Sequence, residues 1–300
     1  MIETPQGFAA STVQREGERG RAWLETLPEL AGELLRRWDC APTDPVTHGQ
    51  VGIVVPVRRR EDGTPAVLKI SFPHPGNVHE PDAFAVWAGR GAVRLYERDD
   101  ARFAMLVERA GPDSLAEVTD AEEALTAAGL LARRLAVPAP AELPRVSARC
   151  DEWERELQDN DKELDSPLAS RLLDAAIGTL RELGPDQPDT LIHGDLHVGN
   201  VLKGEREPWL AIDPKGYAGD PAYDAITLLH HRFEELLTAP DPKAAVLRRL
   251  AVFSDAAGVD RERARRWTQV RAVTMAYWGR LHGDPQWRVM AADGLAEALA

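Results

Sequence analysis

One stretch constrains this chain more than any other: LIHGDLHVGNVLKGEREPWLAIDPKGYAGDPAYD, residues 191–224. Within it Asp195, Asn200 and Asp213 form a spaced set of oxygen donors. Asn200 lies five residues after Asp195, and Asp213 thirteen after Asn200. The residues between read as a loop, a short strand (Val201–Leu202), a turn at Lys203–Glu207 and a second apolar strand (Trp209–Ile212). A tight hairpin of that kind returns Asp213 to the neighbourhood of Asn200. One loop then presents a carboxylate, Asp195, to a substrate hydroxyl, while the oxygens of Asn200 and Asp213 suit a divalent cation. These are the parts that phosphoryl transfer from a metal-bound nucleotide uses.

The same motifs carry a resemblance. His193-Gly194-Asp195 stands where protein kinases carry His-Arg-Asp, and Ile212-Asp213-Pro214 where they carry Asp-Phe-Gly. The longer string, Ile212-Asp213-Pro214-Lys215-Gly216 followed by Gly219-Asp220-Pro221, is similar to the streptomycin 6-kinase and hydroxyurea phosphotransferase branch of the aminoglycoside phosphotransferase family. The resemblance extends from around Gly20 to the C-terminus. It implies an α+β, bilobed, protein-kinase-like fold. Residues 1–107 would form a small, mainly antiparallel nucleotide-binding lobe with an N-terminal helical extension. Residues 108–113 would form a connector, and 114–300 a helical lobe for catalysis and acceptor binding. The implied cofactors are ATP and Mg2+, and the implied activity is phosphorylation of a hydroxyl of an aminoglycoside, streptomycin foremost. Hydroxyurea, or another small metabolic alcohol or amino sugar, is the alternative within the class. A catalytically silent nucleotide-binding protein of the same fold is the alternative outside it. Gly194 in place of the kinase arginine and the short segment after Asp213 remove the anchor and the room for a phosphorylated activation loop, which favours a small-molecule acceptor.

Composition narrows the partners. A net charge of −13 over 300 residues leaves no basic cluster able to neutralise nucleic-acid phosphates. The same charge is compatible with a cationic acceptor, because acidic clefts raise local cation concentration. Cys40 and Cys150 are far apart and lack metal-spaced neighbours, so they predict neither a disulfide framework nor a zinc site. The first residues contain no apolar run of signal-peptide type, and no stretch approaches bilayer-spanning length, which together predict a cytoplasmic protein away from the membrane.

Along the chain, residues 1–19 read as a loose polar arm. Trp23, Leu24, Leu27, Leu30, Leu34 and Leu35 then recur with helical period, with a break expected at Pro28. Val51–Val57 and Ala66–Ile70, separated by Glu61-Asp62-Gly63-Thr64, read as a hairpin. Before it, His48-Gly49-Gln50-Val51-Gly52 is equally readable as a backbone approach to phosphate or as an ordinary turn. Lys69 falls where the resemblance puts the lysine that contacts the nucleotide's α and β phosphates, with Leu68 and Ile70 on the opposite face. Glu80, followed by Pro81, reads as the first turn of a helix; it is the candidate partner of Lys69, though an acid there can also serve as a cap. Gly91–Tyr96 and Phe103–Val107 read as two more strands joined by Glu97–Arg102. In the kinase-like connector the main chain holds the adenine, which the resemblance assigns here to Glu108 and Ala110.

From Thr119 the chain reads as helical, with Thr119 opening a capping box and Leu125, Ala128, Leu131, Ala132 and Leu135 as its apolar stripe. Ser166-Pro167 is expected to start another helix, and the charge run Arg261–Arg266 to be a solvated face. A helix from Ala222 would carry His230, His231, Glu234 and Glu235, with Trp267, Tyr277, Trp278 and Trp287 on later helices. His193 reads as a structural brace, Asp220 and Asp224 as acids that fix the loop through backbone N–H groups, and Lys215 as a countercharge for phosphate or a partner of Asp220. Asp195 is the candidate catalytic carboxylate, and Asn200 and Asp213 are the candidate magnesium ligands.

Overall fold

Period-two burial builds the first of two units. In the structure, a computed structural model that describes residues 2–226 and 231–300, the chain divides after Ala110. Strands β1 (Cys40–Pro42), β2 (Thr47–His48), β3 (Gly52–Arg59), β4 (Pro65–Ser71), β5 (Leu95–Asp99) and β6 (Ala104–Glu108) form one antiparallel sheet, ordered β1-β3-β4-β6-β5 with β2 also on β3. Ile53, Val55, Val57, Leu68, Ile70 and Leu106 turn to one face and are wholly buried there against Phe8, Leu27, Ala31 and Leu34 of helix α1 (Gln6–Arg37). Each such side chain contributes about 1.5–3 kcal/mol by leaving water. Helix α2 (Glu80–Trp87) follows β4 and places Phe84 and Trp87 in the core.

Several expectations need correction in this unit. The arm is not loose: α1 begins at Gln6, and Phe8 is fully buried, 6.0 Å from Trp23 and 5.3 Å from His48 between ring centroids. The break falls at Gly17 (φ 60°, ψ −134°), not at Pro28. Glycine alone enters that region cheaply, whereas Leu27, Ala31 and Leu34 pack on the sheet from either side of Pro28 and keep the helix going through it. The fifth strand is Leu95–Asp99, not Gly91–Tyr96, because both main-chain groups of Arg94 are taken by Glu108: Arg94 N–H donates to Glu108 Oε2 (3.0 Å), and Glu108 N–H to Arg94 O (2.8 Å). The link between β5 and β6 accordingly shrinks to a 3-10 turn at Asp100–Arg102.

The second unit is mostly helical: α3 (Ala121–Leu135), α4 (Val146–Glu163), α5 (Ser170–Leu183), α6 (Phe233–Thr238), α7 (Pro242–Ala257), α8 (Arg261–Leu281) and α9 (Gln286–Leu299). Short strands β7 (Val137–Pro138), β8 (Thr190–Ile192) and β11 (Tyr217–Ala218) make one small sheet, and β9 (Val201–Lys203) with β10 (Trp209–Ala211) make a hairpin. Gly129 lets α3 press on α7; a Cβ there would lie 2.6 Å from the Phe253 carbonyl oxygen. Asp120, not Thr119, caps α3, its Oδ1 accepting from Glu122 N–H (2.9 Å) and Glu123 N–H (3.2 Å). Ser166 does not start α5. It turns back in a left-handed conformation (φ 52°) onto Asp161, and the helix opens at Ser170.

The Arg261–Arg266 run is not simply solvated either: Arg263 pairs with Asp220 and Asp186, and Arg266 with Glu182. Ala222 lies in a 3-10 run, Pro221–Ile226, rather than at the start of a helix. His230 and the side chain of Glu234 are outside the described residues. Of the other groups read on these helices, Trp267 and Tyr277 are core, Trp278 and Trp287 are exposed, and Glu235 pairs with Arg232 and Arg249. No described helix is long and apolar enough to cross a membrane.

The buried position of Phe8 is directly testable. Phe8→Ala should lower the stability of the first unit by about 3–5 kcal/mol, the usual cost of a core phenylalanine cavity. A urea midpoint that does not move would mean the arm is loose after all.

Candidate active site

In the first unit, pairing of β4 with β3 and β6 sets Lys69 opposite Val54 and Met105. Leu68 and Ile70 go to the α1 face and are fully buried, so Lys69 emerges on the other. Its Nζ donates to Glu80 Oε1 at 2.6 Å, with the two side chains 13% and 3% exposed. Lys69 and Glu80 are thus brought together, and the near-burial makes the pair binding on both partners: removing one leaves an uncompensated charge. Glu108 ends β6, with its N–H and carboxylate engaged on Arg94 as described. Ala110 is half-buried at the last position of the unit. The His48–Gly52 approach is a tight turn closed by Gly49 N–H to Gly52 O (2.9 Å). Gly52 is required by strand packing, since a Cβ would lie 2.7 Å from Ile70 O and 2.9 Å from Ser71 Oγ.

In the second unit the hairpin closes. Val201 pairs with Ala211, and Ile212 N–H donates to Asn200 O at 2.9 Å, so the next residue, Asp213, arrives alongside Asn200. Asn200 is buried, and its Nδ2 donates to the Asp195 carbonyl oxygen at 3.0 Å. That bond ties the amide to the Asp195 loop by its donor end and leaves Oδ1 as the acceptor. Asp213 sits at φ 57°, a left-handed conformation that costs a non-glycine residue about 1–3 kcal/mol and persists where surroundings impose it.

His193 imposes much of it. The ring is wholly buried, its Nε2 donates to Ile212 O at 2.8 Å, and its Nδ1 accepts from Asp195 N–H at 3.2 Å. Only the neutral tautomer can do both, and burial pushes the imidazole down to about 4. Asp224, also buried, accepts from His193 N–H (2.9 Å) and Gly194 N–H (2.8 Å); burial drives its carboxyl up to about 7 against the pull of those two donors. Asp220 accepts from Arg263 Nε (2.6 Å), Trp267 Nε1 (3.1 Å) and Ala222 N–H (2.9 Å).

Lys215 turns out to face Asp195, not Asp220: its Nζ lies 3.6 Å from Asp195 Oδ2. Burial raises the Asp195 carboxyl, but Lys215, His197 and Arg271 outweigh it and hold the group below its ordinary value, so it is ionised at neutral pH. Lys215 was visible only as a lysine on the right loop. Arg271 and Arg263, on α8, gave no local signal, because their meaning depends on which loop the helix packs against.

The two buried groups should leave opposite marks on stability. Folded His193 resists protonation, so between about pH 4 and 6.5 the unfolded chain holds the extra proton and stability rises with pH. Folded Asp224 keeps its proton up to about pH 7 while the unfolded carboxyl loses it near pH 4, so its contribution is present in acid and lost as pH rises through that window. In urea unfolding between about pH 4.5 and 6.5, Asp224→Asn should gain stability with pH and His193→Gln should lose it. Slopes of the same sign in both variants would contradict these assignments.

Comparison with known proteins places this geometry in a family. The model of the aminoglycoside/hydroxyurea antibiotic resistance kinases matches residues 37–283. Streptomycin 6-kinase of Streptomyces glaucescens is 38% identical over 305 residues, spanning 100% of this chain and 97% of that protein. Hydroxyurea phosphotransferase of Kitasatospora aureofaciens is 38% identical over 282 residues, spanning 93% of this chain and 80% of that protein. Among solved structures, choline kinase LicA from Streptococcus pneumoniae aligns with a TM-score of 0.58 at 12% identity, over 91% of this chain and 99% of that one, a likeness of fold. The α+β kinase-like fold implied by the sequence is therefore the fold observed, and with a family match over most of its length the chain belongs to the aminoglycoside/hydroxyurea antibiotic resistance kinases.

Proposed function

We propose that the chain transfers the γ-phosphoryl group of ATP to a hydroxyl of streptomycin or a closely related aminocyclitol, with Mg2+ as cofactor. The observation that carries the reading is the state of Asp195. It is an ionised carboxylate, 27% exposed, whose one side-chain partner among the described residues is Lys215 at 3.6 Å. It stands on the loop whose far end carries Asn200 and Asp213. A carboxylate left this open can accept the acceptor's O–H, orient its oxygen toward phosphorus and take the proton as the new O–P bond forms and ADP departs. Its lowered basicity suits a proton that leaves late, when the oxygen is already bonding.

Asn200 Oδ1 and the Asp213 carboxylate are hard oxygen donors of the kind magnesium takes, alongside waters and phosphate oxygens. When bound, the ion would neutralise charge developing on the transferred group. Lys69, held by Glu80, supplies a point charge for the α and β phosphates, and the main chain of Glu108 and Ala110 holds the adenine. The identity of 38% to a streptomycin 6-kinase supports the acceptor, and the net charge of −13 suits a guanidinylated sugar. Equal identity to a hydroxyurea phosphotransferase favours hydroxyurea as the second reading.

Purified protein with ATP and Mg2+ should add one phosphoryl group to streptomycin, read by mass spectrometry, and expression in a sensitive host should raise resistance. Asp195→Asn should lose turnover by roughly 10²- to 10⁴-fold, the usual worth of a positioned base. Turnover of hydroxyurea alone would establish the second reading. Turnover of neither compound, or full activity in the variant, would overturn the proposal.

A further inference from the structure

Helix α8 brings one more cation to the Asp195 loop. Arg271 Nη1 donates to Tyr223 Oη at 3.2 Å, and the guanidinium lies 5.8 Å from the centroid of that ring. Tyr223 immediately precedes Asp224, the acid that clamps the N–H groups of His193 and Gly194. Trp153 stacks on Tyr223, 5.7 Å between centroids and 11° between planes. Tyr217 covers Gly194 so closely that a Cβ there would lie 2.8 Å from its ring. Arg271 therefore sits in an aromatic setting built directly on the loop that presents Asp195.

Its hydrogen bonding is incomplete. A guanidinium offers five N–H donors. Among the described residues one reaches the Tyr223 hydroxyl, Nε is buried without an acceptor, and no carboxylate forms an ion pair with the group. Against the cost of burial, the Asp195 carboxylate is among the groups that favour its charged form. A half-buried guanidinium whose donors go unused is costly to keep unless something else accepts from it.

We propose that Arg271 is an acceptor-binding residue. Its unused donors take an uncharged or anionic oxygen next to the reacting hydroxyl, and its charge turns away acceptors that carry an ammonium or guanidinium at that position. The proposal rests on the phosphotransferase reading above and adds to it a rule for which edge of the acceptor enters. Both candidate acceptors comply: the guanidinylated ring of streptomycin carries adjacent hydroxyls, and hydroxyurea has a carbonyl beside its N–OH. Streptomycin would enter with a hydroxyl, rather than a guanidinium, toward α8.

Steady-state kinetics on the full chain tests this with streptomycin and hydroxyurea as the probes. Arg271→Met keeps an unbranched stem and removes the donors. It should raise the acceptor KM roughly 10- to 100-fold, the range for a lost charge-assisted hydrogen bond, and at least tenfold more than it raises the KM for ATP. Arg271→Lys, which keeps the charge without the planar fork, should fall between wild type and Met. An acceptor KM within twofold of wild type overturns the proposal. So does an equal loss for both substrates with a lowered melting temperature, the signature of a purely structural arginine. Wild-type protein inactive on both acceptors overturns the phosphotransferase reading itself, and this inference with it.

Discussion

Both main-chain groups of Ile212 are given to the Asp195 loop. Its N–H goes to the Asn200 carbonyl, and its C=O receives the buried Nε2–H of His193. This double attachment converts a hairpin into a site: it fixes where Asp213 begins and, through Asn200 Nδ2 and His193 Nδ1, where Asp195 stands. Each bond is worth only about 0.5–1.5 kcal/mol net, but an orphaned buried partner costs about 1–3 kcal/mol. The arrangement is therefore close to all-or-none, and the strained φ of Asp213 is held within it.

Around that attachment the charges are arranged in layers. Asp224 sits beneath the loop and binds two of its N–H groups from inside the core, Asp220 is tied to α8 through Arg263 and Trp267, and Lys215 and Arg271 both favour the ionised form of Asp195. The deeper acids are saturated with donors. Of these three acids, Asp195 is the one that combines ionisation with an open coordination shell among the described residues. That contrast, more than the identity of any single residue, distinguishes the acid read as catalytic from the acids that support it.

The hairpin was legible in the sequence because it is local: a strand of a few residues, a polar turn and another strand fix their own register, and Val201–Ala211 pairing follows. The Lys69 face was legible because side chains alternate along β4. The N-terminal helix was misread because nothing within residues 1–19 signals that Phe8 has a sheet to lie on; only the apolar face of β3, β4 and β6 supplies the reason. The His48–Gly52 stretch was equally readable as a phosphate approach or an ordinary turn, and what Gly52 is needed for, strand packing, depends on the neighbouring Ile70 carbonyl. Arg263 read as part of a solvated charge run and Arg271 gave no signal of its own, since a helix of that composition does not reveal which loop will lie against it.

The central claim is that Asn200 and Asp213 serve one metal-bound nucleotide. Calorimetry of ADP binding with and without Mg2+ tests it most directly. Wild-type protein should bind ADP at least tenfold more tightly with Mg2+, and Asp213→Ala should bind it equally weakly in both conditions while keeping its metal-free affinity. A magnesium effect of undiminished size in that variant would contradict the account.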